Sequence, residues 1–553
     1  MKLKFSLLLV AASAIIILVA GCNKKSNTQG RYIPSNAAIV IHVNAESVSA
    51  KLPWEEVKQN ELFTTMYADS SLGNVIKSAL DNPENTGIDI KKDVVFFMIK
   101  DSTGGYLSFE GFIKDADKFK TYNTAALKNS IASEKNGVQF LVSNRTTVSW
   151  DKTKFIVVSD APEMIRLNDM EKIMNKDSMS VEPVKSVRDG AATALSLYTL
   201  SESNSLAKNE KFSELVNTKG DVHFWANAEA LYEGNAGVPQ LSMVNLKKLY
   251  EGSFTLGTVL FENGKIDVDM KSYAGKEMTD LWKNYSGSKI NNDMVERLPS
   301  KEVAVLLALN FKPLGLKEFV KLMGLEGLIN MGAAFLGFTV DDFVKANKGD
   351  ILLAVSDIGK DSAGKTNANI LFSASVGDKV SFDKLVNAGK KMGNQGMGTV
   401  ASSLYFNSND TYFVIGNKKE SIDQYIGKAG RSKFNFYDKI SSSPIGGYVN
   451  LQYIFTAIRP QAGKDSLGLI ALDASAKMWD NIIMSGGQFT KGGITQHIEI
   501  NLADKTAGSL KQLNKYIGVM ADVAQQKKKE TNNFSEIRLY GDTTGVKDSL
   551  LFE

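Results

Sequence analysis

The feature that most restricts the fold of this chain is an internal repeat. Asn44 and Asn310 each end an alternating apolar strand that follows a Pro-Ser pair, and they lie 266 positions apart. The same separation holds for a second pair of segments, Asp117-Lys118-Phe119 and Asp383-Lys384-Leu385. A constant spacing between matching segments is typical of a duplicated unit. The sequence therefore predicts two homologous halves at 31–286 and 297–518, followed by a C-terminal helix end and tail at 519–553.

Each half has the pattern of antiparallel hairpins with intervening helices. Gly252 to Tyr273 alternates around Asn263-Gly264, a dipeptide that favours a two-residue hairpin turn. Ile482 to Leu502 repeats this pattern around Gly492-Gly493. Links this short between strands require antiparallel neighbours. The predicted fold class is α+β, with two tandem homologous halves of antiparallel sheets and packed helices.

Asparagines mark the predicted starts of several helices. Asn44, Asn227 and Asn450 each stand between a strand pattern and a helical pattern. An asparagine side chain at such a position accepts a hydrogen bond from a backbone N–H that the helix leaves unpaired. We therefore interpret these residues as helix caps rather than as ligand-binding groups. Further helices are predicted at Pro53 to Leu80 (in two pieces), Lys118 to Ile131, Lys276 to Tyr285 and Leu510 to Val523.

The N-terminus has the pattern of a secretory signal. Two lysines precede an apolar run from Phe5 to Ala20, which is shorter than the roughly 20 residues of a membrane-spanning helix. Val19-Ala20-Gly21-Cys22 resembles a bacterial lipobox, and Cys22 is the only cysteine in the chain. We therefore predict a signal peptide at 1–21, lipidation of Cys22 and a tether at 22–30. Because the tether has no acidic run, we expect a lipid-anchored envelope protein on the outer membrane, facing the periplasm.

The charge of the mature chain argues against nucleic acid as a partner. Removal of the signal peptide takes two lysines, which leaves 63 basic against 61 acidic side chains and a net charge near +2. A nucleic-acid-binding protein is expected to carry a marked excess of basic residues. The predicted partners are therefore the membrane, through the N-terminal lipid, and a protein or glycan of unknown identity.

One segment matches the P-loop pattern that binds nucleotide phosphates. It runs from Gly359 to Thr366, and a strand pattern precedes it. A P-loop also requires a helix after the motif, because the helix N-terminus helps to hold the phosphate. The residues that follow, Asn369 to Val376, have a strand pattern instead. We interpret the segment as a hairpin loop and predict no cofactor.

No catalytic or metal site emerges from the sequence. The three histidines, His42, His223 and His497, all fall within predicted strands. His42 and His223 occupy neighbouring positions of the repeated strand, so they would approach each other if the units stack. A zinc site would need additional ligands that the spacing does not supply, and no Gly-x-Ser-x-Gly elbow marks a nucleophile. Carboxylate pairs such as Asp341-Asp342 are interpreted as solvated surface.

A segment rich in Leu, Met, Phe and Gly extends from Leu316 to Phe338. Its apolar residues are near helical spacing. Methionine-rich apolar helices can adapt to ligands, and the segment is a candidate partner surface. Most helices with this pattern are part of a core, which is the interpretation that we prefer.

The lipobox, the Ile-Pro-x-x-Ala opening at Ile33 and the doubled layout resemble one known family. It is an uncharacterised lipoprotein family, domain of unknown function 4836, typical of Bacteroidetes-type Gram-negative bacteria. The resemblance covers nearly the whole mature chain. It implies no catalytic residues, and the lipid-bearing Cys22 is the only site residue that transfers.

These observations favour one function and leave two alternatives. The favoured hypothesis is a non-enzymatic envelope lipoprotein that binds a partner with its repeated α+β units. The first alternative is a hydrolase of a periplasmic or surface polymer, which would need two facing carboxyls in a concave pocket. The second is a nucleotide-binding protein, which would need a helix after Thr366.

Overall fold

The computed structural model describes most of the predicted mature body. It covers residues 29–69, 72–101, 104–161, 188–232, 245–360, 366–394, 404–428, 432–461, 463 and 465–540. The predicted signal peptide, Cys22 and most of the tether lie outside the described residues, so these remain predictions of the sequence.

Eighteen strands pair into one antiparallel sheet within the described residues. They are β1 (Ile39–Val43), β2 (Val94–Asp101), β3 (Gly104–Phe112), β4 (Ile131–Lys135), β5 (Val138–Ser143), β6 (Thr146–Trp150), β7 (Lys154–Asp160), β8 (Val222–Asn227), β9 (Phe254–Glu262), β10 (Lys265–Tyr273), β11 (Val303–Asn310), β12 (Asn347–Lys360), β13 (Thr366–Val376), β14 (Tyr405–Ser408), β15 (Tyr412–Gly416), β16 (Ile445–Asn450), β17 (Trp479–Thr490) and β18 (Gly493–Leu502). The predicted α+β class with antiparallel pairing is confirmed.

The sheet has two arms that run outward from the pair β10–β18. One arm continues from β10 through β9, β8, β1, β2, β3, β7, β6, β5 and β4. The other continues from β18 through β17, β16, β11, β12, β13, β15 and β14. In each arm, the hairpin beside the β10–β18 junction comes late in the chain segment that forms the arm, and the strands further from the junction come earlier. A duplicated unit would produce this order, while the boundaries 31–286 and 297–518 stay a prediction.

Helices connect the strands and cover the sheet. The α-helices of the described residues are α1 (Ala45–Lys51), α2 (Trp54–Val57), α3 (Glu61–Tyr67), α4 (Asn74–Asp81), α5 (Ala116–Ala126), α6 (Gly190–Tyr198), α7 (Glu210–Asn217), α8 (Ala228–Tyr232), α9 (Lys247–Tyr250), α10 (Lys276–Tyr285), α11 (Asn292–Glu296), α12 (Pro313–Leu322), α13 (Glu326–Leu336), α14 (Val340–Ala346), α15 (Lys379–Asn394), α16 (Lys419–Gly427), α17 (Tyr437–Ile440), α18 (Leu451–Ile458), α19 (Ser466–Met478) and α20 (Ser509–Tyr540). Short 3-10 helices lie at Pro83–Thr86, Glu202–Asn204, Leu206–Lys208 and Arg459–Gln461.

Two apolar cores lie on opposite faces of the first arm. Successive side chains of a strand point to opposite faces, so Val94 and Val95 of β2 belong to different cores. The core with Val94 is covered by α1–α5 and by the start of α20. The core with Val95 is covered by α6 and α7. A third core joins the second arm to α11, α16 and α17.

The predicted hairpins are present. The β9–β10 hairpin turns at Asn263-Gly264, and Gly264 has the positive φ of +67° that this turn requires. The β17–β18 hairpin turns at Lys491-Gly492, one residue earlier than predicted. Both residues of that turn have positive φ, 45° and 80°.

Two predicted helix boundaries are wrong. The segment from Pro53 to Leu80 forms three helices instead of two, because Asn60 caps a new helix by accepting a hydrogen bond from the backbone N–H of Leu62. The helix predicted to reach Ile131 ends at Ala126, and Asn129 takes a left-handed conformation with φ of 65°. The prediction for Lys276 to Tyr285 is confirmed, and Leu510 to Val523 lies within the longer α20.

The three asparagine caps are confirmed. The side-chain oxygen of Asn44 accepts a hydrogen bond of 3.1 Å from the backbone N–H of Ser47. Asn227 and Asn450 accept equivalent bonds of 3.2 and 3.0 Å from the residues three positions later. Each cap lies between the end of a strand and the helix that follows, where the first backbone N–H groups have no partner within the helix.

The described ends of the segment with the P-loop pattern belong to two paired antiparallel strands. Strand β12 extends to Lys360 and β13 begins at Thr366, while 361–365 lie outside the described residues. Since a strand and not a helix follows Thr366, no helix N-terminus is available to hold a phosphate there. The nucleotide-binding alternative is therefore rejected.

The preferred interpretation of Leu316 to Phe338 as a core segment is wrong for its second half. Ala333 is the only buried side chain of α13, all of whose residues the structure describes. Leu328, Met331 and Phe335 are 55%, 68% and 78% exposed. The spacing of apolar residues predicts the helix, but it carries no information about which neighbours cover the helix.

No single helix of the described residues is long and apolar enough to cross a membrane. The pair α13 and α14 reaches the necessary length and composition together, with a bend of 78° between the two helices.

Candidate binding groove at the centre of the sheet

The register of the sheet places all three histidines in one row on one face. His42 pairs with His223, and His223 pairs with Thr258. Thr258 pairs with Asp269, which pairs with His497 across the junction of the two arms. The predicted approach of His42 and His223 is confirmed, because their Nδ1 atoms are 2.9 Å apart. The position of His497 in the same row was not predictable from the sequence pattern, because it depends on the pairing of β10 with β18.

The His42–His223 pair is buried inside a chain of hydrogen bonds. The Nε2–H of His223 donates to the carbonyl oxygen of Thr218 at 2.9 Å, and Nδ1 of His223 shares a hydrogen bond with Nδ1 of His42. Nε2 of His42 lies 3.1 Å from a carboxylate oxygen of Asp93. Asp93 also accepts from the backbone N–H of Ala45, so the pair connects the sheet to the start of α1.

The buried acid Glu110 and the buried base Lys154 lie further along the first arm on the same face. Glu110 lies two strands from His42 in register and is 1% exposed. The Nζ of Lys154 is 3.3 Å from a Glu110 oxygen and 4.1 Å from the ring centre of Tyr32. Burial raises the pKa of Glu110, and the charges of Lys154 and His42 oppose this shift. Because Glu110 is enclosed by protein, it is not placed to act on an external polymer.

A groove of about 460 Å³ continues the same face across the β10–β18 junction, beside α7. This volume is within the range of small-ligand sites. Its polar lining comes from both arms and from α7: Thr258, Asp269, Lys271, Tyr273, Ser485, Thr495, His497, Lys211 and Glu214. Hydroxyl, amide and charged groups beside one aromatic ring can hold a polar ligand by hydrogen bonds.

The charged groups of the groove are paired with one another. His497 Nδ1 is 2.8 Å from a carboxylate oxygen of Asp269. Lys211 and Glu214 form an ion pair of 3.1 Å, and the Glu214 carboxylate raises the pKa of Lys211. The Nζ of Lys271 donates to the carbonyl oxygen of Lys491 and lies 5.2 Å from the Tyr273 ring centre. Because these charged side chains already have partners, they can bind a ligand as fixed dipoles, but they are not placed to transfer protons as acids or bases.

Two carboxylates also face each other across the junction, Asp267 on β10 and Glu499 on β18. Together with His497 they bring three potential metal ligands within 4.8 Å of one another. Lys265 binds Oδ2 of Asp267 at 2.7 Å and Lys439 binds Oε1 of Glu499 at 2.5 Å, so each carboxylate already has an ammonium partner. Oδ1 of Asp267 is buried and has no hydrogen-bond partner among the described residues. Because two lysine cations stand beside the two carboxylates, we assign no metal to the cluster.

Glu499 also lacks the electrostatics of a general acid. Burial disfavours the charge of Glu499, but hydrogen bonds from Lys439 and Asn501 outweigh it, and the pKa of Glu499 is lowered. A general acid needs a carboxyl whose pKa is raised. The pair is thus not arranged for acid–base hydrolysis.

A second polar cavity of about 400 Å³ lies in the second arm. The Asp357 carboxylate accepts hydrogen bonds from Ser300, Ser356 and Asn369 at 2.9, 3.2 and 3.2 Å. Asp357 has a left-handed backbone with φ of 49°. These serines donate to a carboxylate, which does not have the triad arrangement of a serine hydrolase.

One feature of the sequence indicates the groove. Lys265, Asp267, Asp269 and Lys271 alternate with apolar residues along β10, so one face of this strand is charged from its start to Lys271 and ends with Tyr273. An alternating strand with a charged face at the centre of a sheet indicates a solvent-exposed surface between covering helices.

The family model described as "Domain of unknown function (DUF4836)" matches residues 30–434. The chain therefore belongs to this family, and the predicted resemblance is confirmed. The lipoprotein character and bacterial distribution of its members stay predictions.

Comparison with solved structures gives only distant similarities. Crystal forms IV and I of the protein TP0453 are 10% and 9% identical to this chain, with TM-scores of 0.22 and 0.20. Each comparison covers 44% of this chain and 78% of that chain. Scores this low carry no argument about fold or function. No protein with curated annotation matches the chain.

Proposed function

We propose that this protein is a lipid-anchored envelope protein that binds a polar partner in the central groove. The anchor is a lipid on Cys22 after removal of residues 1–21, and the location is the outer membrane, facing the periplasm. The lipobox and the placement of the only cysteine support the anchor. Lipid attachment with more than one acyl chain gives stable membrane association.

The observation that carries the binding role is the groove at the β10–β18 junction. It is concave, lies across both arms, and has hydroxyl and amide groups of Ser485, Thr495 and Gln488 near the ring of Tyr273. This chemistry suits a ligand with many hydroxyl or amide groups, such as a glycan or an extended peptide. The paired charges favour binding over catalysis.

The alternative, a carboxylate-dependent hydrolase, has no specific support. Its best candidate residues are Asp267 and Glu499, which are both held by lysines. Turnover of a polymer by the purified protein, lost in the variant Glu499→Gln, would establish the alternative and contradict the binding role.

The anchor is tested with a cysteine that changes position. Cells that express wild type, Cys22→Ser, and the double variant Cys22→Ser/Ser26→Cys are labelled with a fatty-acid analogue and fractionated. Wild type should carry the label and sediment with membranes, while both variants should lose the label. The double variant is the control, because it restores a thiol outside the lipobox. Labelling of Cys22→Ser would refute the anchor.

The groove is tested by photo-crosslinking in cells. A benzophenone amino acid replaces Gln496, an exposed residue that lines the groove, in the lipidated chain. The control replaces Lys419, which is exposed on α16. Ultraviolet light should produce an adduct at position 496 and not at 419. Equal adducts at both positions, or none at 496, would contradict binding in the groove.

A further inference from the structure

The apolar helical segment, defined here as helices α12–α14 (Pro313–Ala346), presents a stripe of large apolar side chains to solvent. Leu328, Met331 and Phe335 are spaced at i, i+3 and i+7 along α13, so they lie on one side of the helix. These three residues are the most exposed large apolar side chains of α13. A Cβ atom added at Gly327 or Gly332 would contact nothing within 4 Å. Among the described residues, no element covers this side of α13.

Ion pairs connect the outer helices of the apolar helical segment to each other and to α15. Lys317 of α12 binds Asp341 of α14 at 2.7 Å, and Lys384 of α15 binds Asp342 at 2.8 Å. Thr339 and Asp342 form a reciprocal capping box at the start of α14. Helix α14, which follows α13, is therefore anchored to both α12 and α15.

Glycines delimit the exposed helix on both sides. Gly324 and Gly337 have positive φ of 70° and 88°, a conformation that other residues adopt only with strain. Gly337 ends α13, and the chain then turns by 78° into α14. The turns at Gly324 and Gly337 separate α13 from α12 and α14 as a short helix of its own.

The distribution of charge matches a membrane interface. Residues 327–340 include no Asp, Glu, Lys or Arg. The acids Asp341 and Asp342, which follow this stretch, are bound by lysines. The exposed charges that border it are Lys321 and Glu326 on the N-terminal side and Lys345 on the C-terminal side. An apolar stripe flanked by exposed lysines suits acyl chains bordered by phosphate headgroups.

The dimensions indicate a helix that lies on a bilayer. The 11 residues of α13 have a length of roughly 16 Å at 1.5 Å per residue. The hydrocarbon core of a bilayer is about 30 Å thick, so α13 is too short to cross it.

The proposed anchor would hold the body near such a surface. Six residues lie between Cys22 and Gln29, the first described residue, and the seven steps from residue to residue span at most about 25 Å. A tether this short keeps the effective concentration of the body at the membrane high.

We propose that α13 inserts its Leu328–Met331–Phe335 stripe into the lipid interface and so provides a second membrane contact, which orients the body. The proposal rests on the proposed function only for bringing the protein to a membrane. Two attachments, the lipid and the helix, would together restrict how the central groove faces its surroundings.

The test uses the full mature chain with Cys22→Ser, which has no lipid and no cysteine, so that any vesicle binding comes from the body. Sedimentation is measured with vesicles of phosphatidylcholine and phosphatidylglycerol at 7:3. The test variant changes Leu328, Met331 and Phe335 to Gln. The matched control changes three other exposed apolar residues to Gln: Ile131, Phe406 and Ile470.

The Cys22→Ser chain and the matched control should bind the vesicles. The test variant should have a partition coefficient at least tenfold lower, because each buried side chain of this size contributes favourably to transfer from water. Since the substituted residues are exposed, all proteins should keep the same circular dichroism spectrum. Absence of vesicle binding by the parent chain, or equal binding by the test variant, would overturn the proposal.

A single cysteine reports the position of α13 directly. Met331→Cys in the Cys22→Ser chain, labelled with the polarity-sensitive dye NBD, should shift to shorter emission wavelength on addition of vesicles. The same dye at Ile131→Cys should not shift. A shift at position 331 that depends on protein concentration without vesicles would identify a second copy of the chain as the occupant and refute lipid insertion. These results are independent of fatty-acid labelling at Cys22, so failure of either proposal is recognised separately.

Discussion

Removing the charge of Lys154 should destabilise the protein by an amount that increases with pH. Lys154 and Glu110 are 6% and 1% exposed, and their charged atoms are 3.3 Å apart. In Lys154→Met, the Glu110 carboxylate would remain buried without its ammonium partner. Breaking a buried ion pair in this way costs about 3–5 kcal/mol.

The pH dependence follows from the direction of the Glu110 shift. Its pKa is already raised by burial, and loss of Lys154, which lowers it, should raise it further. The folded state then binds the proton more tightly than the unfolded chain, so stability is lost as pH rises from the ordinary pKa of about 4.5 towards the folded pKa. Over that interval the slope approaches about 1.4 kcal/mol per pH unit.

The assay is urea denaturation of the Cys22→Ser chain, followed by tryptophan fluorescence at pH 5 and pH 8. Lys154→Met should lose more stability at pH 8 than at pH 5. The double variant Glu110→Leu/Lys154→Met is the control, and it should recover most of the loss because an apolar pair can replace a buried ion pair at little cost. A deficit for Lys154→Met below about 1 kcal/mol and equal at both pH values would refute the reasoning.

Two further predictions concern helix caps. Asn44→Ala should lower the free energy of unfolding by about 1 kcal/mol, since it removes the acceptor for the Ser47 N–H, and Asn450→Ala should have a similar effect in a urea titration. Asp342→Asn should change how stability falls at acid pH, because hydrogen bonds from Lys384 and Thr339 lower the pKa of Asp342 to about 2. The contribution of this carboxylate is present above its ordinary pKa of 3.8 and is lost as pH falls towards 2. Thermal melts between pH 2 and 5 should therefore converge for wild type and Asp342→Asn at the acid end, and parallel curves would contradict the assignment.

Local sequence patterns determined the elements that depend on neighbours in the chain. The Asn263-Gly264 turn was predictable because its backbone needs positive φ, which glycine and asparagine tolerate. The caps at Asn44 and Asn450 were predictable because the capping hydrogen bond spans three residues. The strand after Thr366 was predictable from its alternation, and it sufficed to reject a P-loop.

The row of histidines was only partly predictable. The repeat placed His42 and His223 at neighbouring positions of related strands, although they are 181 positions apart. That His497 shares their row depends on the pairing of β10 with β18, which joins the two arms. The pairing partner of an edge strand is not encoded in its own alternation, because every antiparallel edge offers the same backbone groups.

Tertiary structure alone decided which apolar surfaces are covered. Val94 and Phe335 are both apolar residues of regular elements, yet Val94 is 1% exposed and Phe335 is 78% exposed. The sequence determined that α13 is helical and apolar on one side, since helical periodicity depends on residues within two turns. Burial depends on elements distant in the chain, and these leave Leu328, Met331 and Phe335 of α13 exposed.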